Sequence, residues 1–307
     1  MAEEASPTSA GAPPLGPRQW ALWLLLGVMV LLAWLPWSWQ RVLGRGLGAL
    51  LRHGMGGRRR VAARNLTLCF PALDARARDG LLREHFAALG IGLFEFARAW
   101  WGSVAPMQRE VRIEGLEHLE AARATGRGVI LVSGHFTTLE LCGRLLCERV
   151  PLAGMYRPHA QGALEWAVKR GRLRYAVAMF GREELRPAIR HLKQGGVLWF
   201  APDQETRRGD SVYVPFFGRP ASSLTSTHQM ARLSGASVLA FAHERRADGT
   251  YALRLSPPFD AFPTSDATAD TARVMAAIED MARAAPAQYL WIHRRFKRQP
   301  EGGDPYA

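Results

Sequence analysis

The sequence predicts an α/β fold: a mixed, largely parallel central sheet flanked by helices, preceded by an N-terminal transmembrane helix. Three observations predict it. Short aliphatic runs such as Gly128–Ser133 (GVILVS) and Gly196–Ala201 (GVLWFA) alternate with stretches of helical spacing, the pattern of strands buried on both faces. A separate run, Trp20–Trp39, holds twenty residues without a charge. About 20 apolar residues span the ~30 Å hydrocarbon layer of a membrane. Finally, 307 residues with 48% hydrophobic content can bury a substantial core, which excludes a mainly disordered chain.

The elements follow in order. Residues 1–17, rich in Ala, Pro, Gly and Ser, predict a disordered N-terminus. Residues 18–40 predict a transmembrane anchor. Trp20 and Trp23 at one end, with Trp34, Trp37 and Trp39 at the other, suit interfacial aromatic belts, and Pro36 lies near the end, where it costs a helix least. A cleaved signal peptide fits poorly: Glu3 and Glu4 precede the run with only Arg18, and no A-x-A site follows. A buried soluble helix is the remaining alternative. Arg41, Arg45, Arg52, Arg58, Arg59 and Arg60 come next, and by the positive-inside rule they hold the body in the cytoplasm. The expectation is a single-pass protein in which residues 41–75 form a basic juxtamembrane segment on anionic headgroups, with Leu47, Leu50 and Leu51 on a helix.

Residues 76–307 then form the cytoplasmic body. Leu81, Leu82, Phe86, Leu89, Leu93 and Phe96 recur at helical spacing from Arg76 to Trp101. A short strand Val111–Glu114 and a helix Leu116–Ala124 lead into Gly128–Ser133. Beyond it come a helix Leu139–Arg149, strands Leu152–Tyr156 and Gly196–Ala201, and helices over 161–171 and 183–194 between them. A polar loop 203–211 precedes Val212–Phe217, a helix over 223–234, strands Ser237–Ala242 and Tyr251–Ser256, and a helix over 268–285. No internal repeat is visible.

The net charge of +13 is almost all Arg, since lysine occurs only at Lys169, Lys193 and Lys297. Arg suits bidentate phosphate contacts, so the charge points to nucleic acid, a membrane surface, or a phosphorylated or acidic substrate. Three cysteines, Cys69, Cys142 and Cys147, form no CxxC pair and no closed disulfide framework. Cys142 and Cys147 fall on the apolar face of a helix and read as core. There is no G-x-S-x-G, so a serine nucleophile has little support, and no HExxH, P-loop or G-x-G-x-x-G, which leaves no sequence case for zinc, ATP or a dinucleotide. A membrane-tethered nucleic-acid-binding protein is the reading from another class, against which no zinc-finger, RNA-binding or helix-turn-helix pattern is found.

The strongest local feature is Gly134-His135-Phe136-Thr137-Thr138-Leu139-Glu140, directly after a buried strand, where α/β sheets bind ligands. A carboxylate five positions from the imidazole can fix its tautomer and leave the other nitrogen as a general base; a structural histidine at a helix N-terminus is the alternative. Tyr156-Arg157-Pro158, Arg172 and Arg174, and Asp203 stand at other strand and helix ends, and His293-Arg294-Arg295-Phe296-Lys297-Arg298 forms a basic run after Tyr289-Leu290-Trp291-Ile292. Each reads alone as a loop, a cap or a solvated tail; Arg157, Arg172, Arg174 and Asp203 together place arginines and one acid around the same sheet edge as His135, and the C-terminal run beside aromatics suits phosphate binding at a membrane surface.

These stretches resemble the late acyltransferases of lipid A biosynthesis, the lauroyl and myristoyl transferases of Gram-negative inner membranes. The resemblance rests on RNLTLCFP at 64–71, His135 to Glu140, YRPH at 156–159, RGRLR at 170–174, APD at 201–203, VPFF at 214–217 and PAQYLWIHRRFK at 286–297. It implies a glycerolipid-acyltransferase-like fold, an acyl-carrier-protein thioester as donor, and a hydroxyl on an acyl chain of a Kdo-bearing lipid A precursor as acceptor. The implied site has His135 as general base and Glu140 orienting it. Arg172 and Asp203 match positions important for activity, either binding lipid phosphates or shaping the site, and Arg157, Arg174, Arg294 and Arg295 are further candidates for binding substrate. No covalent acyl-enzyme, metal or cofactor is implied. Phe136, Leu139, Phe216 and Phe217 are candidates to line an acyl groove, core packing being their alternative. Acylation of another phospholipid or glycolipid is the rival within the same chemistry. Two details bear on specificity. Residues 204–210 are a variable version of the family segment, and Glu at position 140 agrees better with the lipid A branch than with glycerol-phosphate acyltransferases.

Overall fold

The aliphatic run at 129–132 shows why the sheet forms where it does. In a computed structural model of the chain, which describes residues 7–205 and 210–307, strand β2 (Val129–Val132) is buried along its whole length. It pairs in parallel with β8 (Ser237–Arg245) on one side and β5 (Val197–Phe200) on the other. Strands β3 (Leu152–Tyr156) and β4 (Ala178–Gly181) extend the sheet beyond β5, both parallel. On the other side β9 (Tyr251–Leu255) runs antiparallel to β8, and β1 (Arg112–Glu114) runs parallel to β9. The order is β1-β9-β8-β2-β5-β3-β4, a mixed sheet with a single antiparallel junction. Side chains alternate as the pleat requires: Ile130 and Val132 enter one hydrophobic cluster, Val129 and Leu131 the other.

Helices α6 (Leu116–Ala124), α7 (Leu139–Cys147), α8 (Gly162–Arg172) and α9 (Leu185–Lys193) connect the strands, and α10 (Ser226–Ser234) and α11 (Ala267–Ala284) cover the sheet. The run 183–194 and the run 268–285 thus form helices close to where their spacing predicts. Two strands escape the sequence reading. β4 is four residues long and takes its conformation from pairing with β3. Residues 219–224, the start of which was expected to be loop and the end helix, form β7 (Arg219–Leu224), a hairpin partner of β6 (Ser211–Phe216).

The N-terminal region departs from expectation. The apolar run does not make one helix over 18–40. It makes α1 (Trp20–Ala33), a break at Trp34-Leu35-Pro36, and α2 (Trp37–Gly54). Pro36 lacks an N–H and disfavours the helical conformation in the residue before it. The freed carbonyls find partners: Gln40 Nε2 donates to Leu32 O at 2.6 Å, and the Arg98 guanidinium donates to Leu35 O. At 14 residues α1 is about 21 Å long, short of the ~30 Å layer. The spanning-helix expectation is therefore corrected: among the described residues no helix is long and apolar enough to cross a membrane.

After α3 (Gly56–Cys69) comes α4 (Ala75–Trp101), a 27-residue helix capped by the Asp74 carboxylate on Ala77 N–H at 2.7 Å; α5 (Ala105–Glu110) follows. Helix α2 lies against α4 along glycines. A Cβ on Gly90 would sit 2.1 Å from Gly44 O and 2.4 Å from Gly48 N, so backbone meets backbone. Gly90→Ala is expected to lower stability by about 1–3 kcal/mol through overpacking. Gly57→Ala, at a site with open space around it, is expected to stay within about 0.5 kcal/mol of the parent. Urea denaturation of the two purified variants measures the difference.

Candidate active site

The parallel register of β2 with β5 places two side chains together. Val132 is paired with Phe200, and His135 and Asp203 each stand three residues beyond, where both strands end. Asp203 Oδ1 lies 2.6 Å from His135 Nδ1, and Oδ2 accepts the His135 backbone N–H at 2.9 Å. The carboxylate is 1% exposed while the imidazole keeps 31%, so the acid is buried and the ring opens outward. Burial pushes the Asp203 carboxyl up, but the His135 ring, the His135 amide and the Tyr289 hydroxyl outweigh it and hold the group down at about 2. Nδ1 is committed to Asp203, which leaves Nε2 as the nitrogen available to a ligand.

A C-terminal segment locks this turn. Thr137 N–H donates to Gln288 O at 2.8 Å and Leu290 N–H to His135 O at 2.9 Å. Tyr289 between them stacks edge-on to Phe136 with centroids 5.3 Å apart and hydrogen-bonds Asp203. His293 Nε2 accepts the Glu205 N–H at 3.2 Å, and burial holds that ring down at about 4.

Glu140 turns elsewhere. It sits in the first turn of α7, 2% exposed. Its carboxylate accepts Arg172 Nε at 2.9 Å, Trp100 Nε1 at 2.8 Å and the Tyr175 hydroxyl at 3.1 Å. The geometry corrects the expectation that Glu140 orients the imidazole: that position belongs to Asp203, and Glu140 instead ties α7 to α4 and α8. The reason is local. His135 precedes the helix, in the turn at the sheet edge, whereas Glu140 is already on α7 and faces α4.

A cleft of about 930 Å³ opens beside His135, with Glu140, Tyr156, Arg157, Arg172 and Trp199 on its wall. Leu89, Leu93 and Phe96 of α4 supply an apolar side together with Phe136 and Leu139. A smaller, largely apolar hollow continues past Glu140 and Arg172, lined by Gly143, Leu152, Gly154, Met179 and Trp199. Arg157 and Arg182 are exposed at the cleft's mouth.

The remaining predicted residues lie apart from this cleft. Arg174 is exposed beyond the end of α8. Arg294 faces Asp304 at 3.6 Å. Arg295 is 2% exposed and donates to Ser222 O at 2.6 Å and to Ser223 Oγ, a structural clamp that cannot reach a lipid phosphate. Phe216 and Phe217 pack with Phe70, Tyr289 and Trp291 instead of lining the cleft. Cys142 is buried; Cys147, half-buried, borders the small hollow with its thiol pushed up to about 12 by burial. Of the variable segment 204–210, residues 206–209 lie outside the described residues. Among the described residues no group of three His, Cys, Asp or Glu is arranged to hold a metal. Sequence reasoning singled out none of Trp100, Tyr175, Tyr289 and His293 as a site residue. Tyr289 and His293 lay inside the matched stretch 286–297, while nothing local marks Trp100, 40 positions from its Glu140 partner.

Beneath the turn, His243 is enclosed between Thr138 Oγ1 at 2.9 Å and Ser133 Oγ at 3.3 Å. Burial pushes it from 6.5 down to about 3. His85, also buried, falls to about 4. In the unfolded chain these rings take up a proton below about pH 6.5, and in the folded chain they resist it. Folding stability from this source is therefore complete above pH 6.5 and lost as pH falls toward 3 to 4. Urea midpoints are expected to drop between pH 7 and pH 5, and by less in His243→Asn.

Comparison with known proteins places the sequence in a family. The model of the bacterial lipid A biosynthesis acyltransferases matches residues 14–298. The lipid A biosynthesis palmitoleoyltransferase of Escherichia coli (strain K12) is 39% identical over 290 residues, covering 94% of each chain. The lauroyltransferase of the same strain is 38% identical, over 94% of this chain and 95% of its own. Its myristoyltransferase is 25% identical, over 94% and 91%. With His135 and Asp203 at the sheet edge and this likeness running nearly end to end, the chain belongs to the bacterial lipid A biosynthesis acyltransferases, a family of O-acyltransferases.

Proposed function

We propose that this enzyme transfers a fatty acyl chain of lauroyl or myristoyl type from an acyl-carrier-protein thioester to a hydroxyl on an acyl chain of a Kdo-bearing lipid A precursor, at the cytoplasmic face of the inner membrane. The observation that carries this reading is the His135–Asp203 pair, its acid buried and its ring opening into a cleft with an apolar wall. The acceptor hydroxyl attacks the thioester carbonyl while His135 Nε2 takes its proton. Collapse of the tetrahedral intermediate expels the carrier's thiolate, which recovers that proton from the imidazolium. An ester and a free thiol result, and the enzyme ends unchanged with no acyl-enzyme.

Asp203 holds Nδ1–H and stabilises the imidazolium, a charge that a buried, low-pKa carboxylate is placed to balance. Glu140 acts one step away, by fixing Arg172 and the wall between the cleft and the inner hollow. The hollow suits the end of an acyl chain, and the exposed Arg157 and Arg182 suit an acidic carrier or the lipid's phosphates. The positive charge should also steer an acidic carrier, with rates falling as salt rises.

Two experiments test the assignment. His135→Ala is expected to lower transfer by ~10²–10⁴-fold, the usual contribution of a general base. Asp203→Asn is expected to move the acid limb of the pH–rate profile, whereas Glu140→Gln should leave that limb in place; the reverse pattern would assign the orienting role to Glu140. Lipid A mass spectra with and without the gene identify the acceptor, and an unchanged acyl number would point to another lipid. Separately, Gly143→Leu fills the hollow from α7 and is expected to shift preference toward shorter donor chains, read by competition between acyl donors of different length.

A further inference from the structure

Helix α1 is tied to the catalytic body at both ends. At its entry, Pro7 O accepts the Met179 N–H of edge strand β4 at 2.8 Å, and Gly11 O accepts Trp166 Nε1 of α8 at 3.0 Å. Gln19 Oε1 receives the Ala163 N–H at 3.2 Å, and Trp23 stacks edge-on to Trp166 with centroids 5.4 Å apart. Residues 7–19, where the sequence predicts disorder through position 17, therefore run along α8 and the sheet edge. At its exit, Arg98 of α4 holds Leu35 O and, through its Nε at 2.9 Å, Gln40. Trp37 Nε1 then reaches Gly249 O at 3.3 Å in the turn between β8 and β9.

Between these ties the outer face of α1 is bare. Leu24 and Leu31 are 74% and 72% exposed, Leu25 and Val28 are exposed beside them, and Trp20 and Trp34 stand at the two ends. Exposed Arg18 precedes the helix in the chain, and exposed Arg45 follows it on α2. An apolar stripe with tryptophans at its ends, and exposed arginines before and after it in the chain, fits a leaflet of anionic lipid.

A helix that crosses a bilayer delivers its two ends to opposite sides, ~30 Å or more apart. Both ends of α1 are hydrogen-bonded to one body. Resting on the membrane location proposed above, we propose that α1 lies in the plane of the membrane, seated in the leaflet that faces the active site, and that residues 7–19 stay on the same side as His135. The cleft is then held at the headgroup level, where a lipid acceptor presents its acyl chains.

Sidedness tests this. Ser9→Cys and, as a marker of the body, the exposed Ser265→Cys are treated with a membrane-impermeant maleimide-polyethylene glycol in spheroplasts and in inverted inner-membrane vesicles. The parent chain supplies the background, with Cys69 and Cys142 buried and Cys147 half-buried. The expected result is a mass shift for both variants in inverted vesicles only. Modification of Ser9→Cys in spheroplasts, with Ser265→Cys protected there, overturns the proposal. Should Ser9→Cys prove unreactive on both sides, a protease site inserted before Pro7 decides: cleavage confined to inverted vesicles supports the in-plane helix, and cleavage in spheroplasts overturns it. Recovery of the chain in the supernatant of salt-washed membranes would instead overturn the membrane location, and leaves the acyl-transfer assays to judge the activity independently.

Discussion

The parallel pairing of β2 with β5 is the constraint on which the site depends. It sets the two strand ends in register, so that residues equally far beyond Val132 and Phe200 meet. One of them is a histidine and the other an aspartate. Slipping that register would separate the pair and turn the buried aliphatic residues of β2 out of their clusters. The same hydrophobic alternation that holds the sheet thus also aligns the chemistry. The C-terminal segment at 288–290 reinforces it by pairing with the His135 turn, so the last part of the chain closes a site begun near its middle.

Helix α4 links the site to the N-terminal helices. Its Trp100 binds Glu140, its Arg98 binds the turn after α1, and its Glu95 pairs with buried Arg245 and Tyr251. Removing one partner from such a buried ion pair leaves a charge without compensation, typically a loss of ~3–5 kcal/mol, whereas the intact pair contributes little net stability. These groups therefore make α4 specific in position more than they make it stable. Close glycine contacts do the same for α2 against α4, where no side chain intervenes.

The charge of +13 divides accordingly. Several arginines are structural: Arg98, Arg172, Arg245 and Arg295 are held by protein partners. The exposed ones, such as Arg45, Arg157 and Arg182, face solvent. Composition cannot make that division, because a buried arginine and a surface one count alike.

What the sequence by itself determined is the class of fold and the order of most elements, and it offered His135, Glu140, Arg172 and Asp203 as candidates. The fold follows from local properties, namely aliphatic runs and helical spacing, which short-range sterics and burial translate directly into structure; Arg172 and Asp203 took their roles only from the family resemblance. Only the tertiary structure decided which acid serves the histidine. Spacing allowed Glu140 and the family motif assigned it to the histidine, but strand register brings Asp203 across a separation of 68 residues, and Glu140 finds its cation on α8 instead. It also decided that Arg295 is a clamp in the core and that Trp20–Trp39 is not one spanning helix. Hydropathy reports how apolar a segment is and not where its ends are tied. Pro36, together with the hydrogen bonds from Arg98 and Gln40 to the carbonyls it leaves free, bends the chain back onto its own body.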